Sequence, residues 1–218
     1  MTDTIAALVI LVLNLLLAVG IGRSLRQGGA IFSAGSGVYL LLIAGAYLGP
    51  GLLPQDLSGW GYFGVILILV MVFGALMLLG PLGRSLRSIP QDRLLALQGL
   101  RAFYGASFIS QAAFGLMPTD SGVLHGSMHV ATATFCLFAA ITFLRGSAGA
   151  RAWILFANLF GLVDILTTAY GLAFVSFEQM GVTHSINLAV FWPAPVYFWL
   201  HVVSLWALRH PRDHQGVL

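Results

Sequence analysis

Residues 122–144 read GVLHGSMHVATATFCLFAAITFL, a run without a single Asp, Glu, Lys or Arg. A helix needs roughly 20 apolar residues to cross about 30 Å of hydrocarbon, so this run reads as a membrane-spanning helix. Its two histidines, His125 and His129, are four residues apart. In a helix that spacing puts both imidazoles on one face. They could serve one ion, one cofactor or one proton path.

Working outward, the whole chain has the same solvent. Of its 218 residues 59% are hydrophobic and 8% charged, and the mean hydropathy is +0.94. A soluble domain could not hydrate such a surface. Seven apolar stretches can be placed, near 4–22, 31–49, 61–81, 94–117, 122–144, 152–176 and 184–208. The first lacks the basic start of a signal peptide and is expected to be a retained span. Apart from histidine, every basic residue is arginine. Arg23 and Arg26 follow the first span, Arg84, Arg87 and Arg93 separate the third and fourth, Arg145 and Arg151 the fifth and sixth, and Arg209 and Arg212 follow the seventh. All fall on one side of a seven-span layout, while Asp3, Asp56, Asp120 and Glu178 fall on the other. Since basic residues stay preferentially cytoplasmic, the expectation is an all-α, seven-span bundle, residues 1–218 as one domain, with the N-terminus outside and the C-terminus in the cytoplasm.

That layout explains the formal charge of +3. Nucleic-acid binding needs a clustered basic face, which scattered loop arginines do not form, so nucleic acid is excluded as a partner and the lipid bilayer is the expected one. Cys136, the single cysteine, reads as a small apolar residue in mid-span. No phosphate loop, nucleophile motif or catalytic carboxylate pair is present.

The pentapeptide Gly-Arg-Ser-Leu-Arg occurs twice, at 22–26 and 83–87. Both copies follow an apolar stretch, which fits either a duplicated two-helix unit or the common use of Gly and Arg at inner helix ends. The first three spans, within 1–90, hold little polarity beyond Asn14 and read as packing helices with small residues for close approach. The last four, within 94–208, each carry a polar stripe. Polar groups in hydrocarbon need partners, so these stripes are expected to face one another.

Depth, counted at 1.5 Å per residue, sorts them into two clusters. The outer one holds His125 and His129, about 10 Å from the outer boundary at His129, with His184 starting the seventh span on the same side. Three imidazoles with a carboxylate would suit zinc, and with a thioether such as Met128 or Met180, copper. The inner one holds Arg101, Asp164 and His201, with Tyr104 adjacent, and is expected to bind an anion or cofactor, to relay protons, or to lock three helices together as an ion pair. Haem is disfavoured, because His129 and His201 would lie at about 10 and 25 Å from the outer boundary. Pro193 and Pro195 should kink the seventh span and free carbonyls near 189–191 to line a cavity.

From about Leu95 to 208 the chain resembles a family of small, uncharacterised four-helix bacterial membrane proteins. The matching pieces are Leu97-Gln98-Gly99-Leu100-Arg101, Gly115-Leu116-Met117-Pro118, Asn158-Leu159-Phe160-Gly161-Leu162-Val163-Asp164 and the proline-containing last span reaching His201 and Ser204-Leu205. Where that family tends to place Gly-Asp early in its second helix, this chain has Met128-His129. The resemblance implies a bacterial inner-membrane location and singles out Arg101, Asp164 and His201, but implies no activity. Three functional readings follow: a redox or metal-handling subunit built on His125, His129 and His184 around an outward-facing cavity; a proton-coupled carrier built on Arg101, Asp164 and His201; and a structural or assembly subunit whose first three spans dock partners or pigment.

Overall fold

The computed structural model describes residues 2–210, leaving Arg212 outside the described residues. It is all helical, with α1 (Asp3–Ser24), α2 (Gly29–Leu48), α3 (Gly59–Leu78), α4 (Gly80–Arg87), α5 (Gln91–Gln98), α6 (Arg101–Ala113), α7 (Thr119–Leu144), α8 (Ala150–Gly171), α9 (Phe177–Met180), α10 (Asn187–Val190) and α11 (Pro193–Arg209). A π-helical turn, Leu172–Ser176, joins α8 to α9 without a break.

Among the described residues six helical segments are long and apolar enough to cross a membrane: α1, α2, α3, α7, the run from α8 through α9, and the run from α10 through α11. The chain is therefore a multi-pass membrane protein. The fourth expected span, 94–117, is not one helix. It divides at Gly99–Leu100, where i→i+3 bonds such as Leu100 N to Leu97 O (3.4 Å) and Phe103 N to Leu100 O (3.1 Å) tighten the backbone, and Arg101 opens α6. The two pieces still lie along α7 in antiparallel order: Gly99 faces Leu137, Gly105 faces Gly126, and Ala112 faces Gly122. The third span, expected to run to residue 81, ends at Leu78, and Gly80 at φ +65° turns the chain into α4. The two Gly-Arg-Ser-Leu-Arg copies thus differ locally. The first finishes a spanning helix, whereas the second lies on a short amphipathic one that buries Gly83 and Leu86.

Helix α11 is the centre of the bundle, touching α3, α5 and α8, while α1 carries α2 on its outer side. Burial follows that order: 67% of the most apolar window is buried in the α10–α11 run and 17% in α2. The outward faces of α1, α2, α3, α7 and α8 expose residues such as Leu8, Leu41, Met71, Leu124 and Leu166. In water such a surface would be untenable; against lipid it is the expected one.

The α6–α7 pair is the most extensive helix contact, and its backbones approach closely. A Cβ on Gly105 would sit 2.4 Å from the Gly126 carbonyl, and one on Gly126 would sit 2.7 Å from the Gly105 carbonyl. Only hydrogen lets two backbones meet this closely in lipid. Replacing Gly105 by Ala should therefore cost about 1–3 kcal/mol of unfolding free energy in detergent, whereas Gly35→Ala on α2, with nothing within 4 Å of the added methyl, should leave the unfolding midpoint unchanged.

Candidate functional site

The site begins with Arg101, whose side chain is 2% exposed. A guanidinium cannot lose its charge in a protein and carries only donors, so the surroundings must supply acceptors. Its Nη2 donates to Asp164 Oδ2 at 2.6 Å, and its Nη1 donates to His201 Nε2 at 3.1 Å and to the Gly161 carbonyl at 3.4 Å. The Tyr197 ring lies under it, 5.4 Å from Cζ. Helices α6, α8 and α11 are thereby tied to one charge.

That contact settles the His201 ring. Because Arg101 donates to Nε2, the ring proton is on Nδ1, which donates to Asn158 Oδ1 at 2.9 Å. The Asn158 amide in turn donates to Ser204 Oγ at 2.9 Å, which also accepts from Gln91 at 2.6 Å. Gly161 makes the arrangement fit, since a Cβ there would lie 2.2 Å from His201 Nε2.

Asp164, fully buried, accepts from four side chains. Besides Arg101, Thr132 Oγ1 donates to Oδ2 at 2.7 Å, Thr168 Oγ1 donates to Oδ1 at 3.3 Å, and His129 Nδ1 lies 2.8 and 2.9 Å from its two oxygens. A carboxylate only accepts, so His129 carries its proton on Nδ1, and its 3.2 Å approach to Arg101 Nη2 is proximity rather than a bond. The Nε2 of His129 has no hydrogen-bond partner among the described residues. The Phe108 ring packs against the imidazole edge on, with centroids 5.2 Å apart.

Of this cluster, Arg101, His129, Thr168 and Tyr197 reach a cavity of about 60 Å³ between α3, α6, α7, α8, α10 and α11. Arg101, Tyr104, His129, Thr168 and Tyr197 are its polar lining; the other walls are apolar, Val190 and Leu172 among them. The break before Pro193 lines it as expected, with Ala189, Val190, Pro193 and Ala194 on its wall, and the freed carbonyls are taken up: Leu188 O by Asn14 and Phe191 O by Tyr39. Tyr104 donates to Asn14 Oδ1 at 2.8 Å. The Tyr197 hydroxyl, in a residue 4% exposed, has no hydrogen-bond partner among the described residues.

The structure redraws the two expected clusters. His129 joins the Arg101 cluster, because α7 begins at Thr119 and so places His129 about 15 Å along its helix rather than 10 Å. His125 lies on the same face, as the four-residue spacing requires, with Nδ1 3.4 Å from Thr168 Oγ1 and the ring over Gly171. His184 is held elsewhere: Nε2 donates to the Leu116 carbonyl at 2.8 Å, Nδ1 accepts from Ile186 N at 3.1 Å, and Asp3 lies 3.8 Å away. Burial holds the His184 pKa below its ordinary value, opposed by Asp3. The three-histidine ligand set for zinc or copper is therefore not gathered, and among the described residues no group of three His, Cys, Asp or Glu forms a metal site. The depth argument about haem also changes, since His129 and His201 both approach Arg101, whose guanidinium lies between them.

Two members were missed by reading spans one at a time. Asn14 on α1 supports Tyr104, and Asn158 orients His201. The second was signalled by the three- and four-residue spacing of Asn158, Gly161, Asp164 and Thr168. The first was visible only as a lone polar side chain whose partner the sequence did not indicate, and it shows that α1 does more than pack.

A family model described as Domain of unknown function (DUF8737) matches residues 62–209, more than half of the chain and all of the Arg101 cluster. No curated protein and no solved structure matches the chain.

Removing one partner of a buried ion pair strands the other charge and costs about 3–5 kcal/mol, while replacing both by apolar groups is often near neutral. Unfolding of Asp164→Leu and Arg101→Leu in detergent should therefore show each single change strongly destabilising, and the double change much closer to the parent than to their sum.

Proposed function

We propose that this chain, which belongs to the DUF8737 family, is a proton-coupled carrier of a small monoanion such as a short carboxylate, and that its cavity is the binding site. The observation that carries this reading is the His129–Asp164–Arg101 contact at the end of a cavity whose Tyr197 hydroxyl lacks a hydrogen-bond partner among the described residues. With Arg101 charged, Asp164 ionised and His129 neutral, the cluster has no net charge. A proton taken up on His129 Nε2 would leave it at +1 in a medium of low dielectric, where an uncompensated charge is costly. A monoanion arriving with that proton restores neutrality. Asp164, bonded to Nδ1, supports the imidazolium, and the Tyr197 hydroxyl donates to the anion.

The network beyond Arg101 orients and does not conduct. A guanidinium cannot give up its proton and the Asn158 amide does not relay one, so the proton enters and leaves His129 through the cavity. The assignment of function to this site also accords with the general cost of ionisable groups in hydrocarbon.

Vesicles reconstituted with the full chain should take up pyruvate together with protons, measured as the difference from protein-free vesicles. His129→Gln and Tyr197→Phe, both able to fold without stranding a charge, should lower the rate at least about tenfold, a loss of roughly 1.4 kcal/mol in transition-state stabilisation. Wild-type rates and proton stoichiometry in His129→Gln would refute the carrier.

The reading includes a seven-crossing topology in a bacterial inner membrane, with α5 and α6 together forming the fourth crossing, the N-terminus outside and the arginine-rich loops in the cytoplasm. Support comes from the antiparallel lie of α5–α6 along α7 and from the arginine distribution. On a Cys136→Ala background, Gln55→Cys should react with a membrane-impermeant maleimide in intact cells, and Ser147→Cys only after permeabilisation.

A further inference from the structure

The repeated Gly-Arg-Ser-Leu-Arg motif takes no part in the cavity, yet the fold brings its two copies to one groove. The groove has a volume of about 590 Å³ and is lined by Arg26, Gln27 and Phe32 around the α1–α2 turn and by Leu82, Arg84 and Ser85 on α4. Among the described residues neither Arg26 nor Arg84 meets a carboxylate within ion-pairing distance. The remaining arginine of the second copy is differently used: Arg87 donates to the Leu78 carbonyl at 2.9 Å and lies 5.7 Å over the Trp206 ring. One arginine of each copy is thus left facing the groove.

Two guanidiniums lining one groove repel each other, and an anion between them removes that repulsion. Arginine's planar fork matches the paired oxygens of a phosphoryl group, and Ser85 and Gln27 add neutral donors. The apolar spans α1 and α3 stop at Ser24 and Leu78, so the groove opens at the level where hydrocarbon gives way to headgroups. Phe32 and Leu82 give it an apolar wall, and below it α2 and α3 expose Leu41, Leu42 and Met71 to lipid. We propose that this groove binds the phosphoryl headgroup of an anionic phospholipid, with Arg26 and Arg84 as its cationic clamp.

The test compares the melting temperature of the full chain in neutral detergent with added phosphatidylglycerol, phosphatidylcholine or inorganic phosphate at constant ionic strength. Phosphatidylglycerol should raise it by at least about 3 °C, phosphatidylcholine and inorganic phosphate by much less. The double variant Arg26→Gln/Arg84→Gln should lose at least half of that rise. Arg145→Gln/Arg151→Gln, which removes equal charge from a different loop, should keep it. An equal rise with inorganic phosphate would overturn the lipid as occupant and leave a site for free phosphate. No rise, or the same loss in both double variants, would overturn the groove itself.

Discussion

One permanently charged side chain, Arg101, organises the interior of this bundle. At the centre of a membrane helix an unpaired arginine costs about 3 kcal/mol on insertion scales, and a guanidinium does not shed its charge in a protein. The protein meets that requirement with three acceptors from two helices: the Asp164 carboxylate and Gly161 carbonyl of α8, and His201 Nε2 of α11. The interruption at Gly99–Leu100 adds to that requirement. It starts α6 at Arg101, a position where the positive end of a helix opposes a cation, so the carboxylate offsets both the buried charge and the helix terminus.

The remaining chemistry follows from how Asp164 is used. With Arg101, Thr132, Thr168 and His129 all directed at it, its oxygens are occupied and its pull falls on His129 Nδ1. The opposite nitrogen is then the basic atom left over, in a residue that lines the cavity. Support extends to α1, where Asn14 holds Tyr104 on one side and the Leu188 carbonyl on the other. Around the cavity, α10 and α11 are separated at a proline rather than continuous, which gives the apolar wall its shape.

Reading the chain span by span reached the helical membrane class, five of the apolar helices nearly to their ends, and the meeting of Arg101, Asp164 and His201. It divided the polar groups incorrectly. Depth counted along separate helices carries the error of each assumed boundary, so a three-residue shift at Thr119 moved His129 from one cluster to the other. His184 was grouped with the other imidazoles because all three lay near one boundary, yet proximity to a boundary says nothing about position around the bundle. Its two nitrogens are engaged by Leu116 and Ile186.

What the sequence by itself determined is what depends on composition and period: apolar runs long enough to span, arginines at helix ends, and the four-residue spacing that puts His125 and His129 on one face. Tertiary structure alone decided which polar atoms meet. The Asn14–Tyr104 bond joins residues 90 positions apart, and the Arg101–His201 bond joins residues 100 apart. Such contacts depend on how helices are rotated and staggered against one another, which close glycine contacts such as Gly105–Gly126 define. The same rotation assigned the ring tautomers and left the Tyr197 hydroxyl without a hydrogen-bond partner among the described residues, because the atoms that a buried polar group can reach are set by neighbouring helices and not by its own.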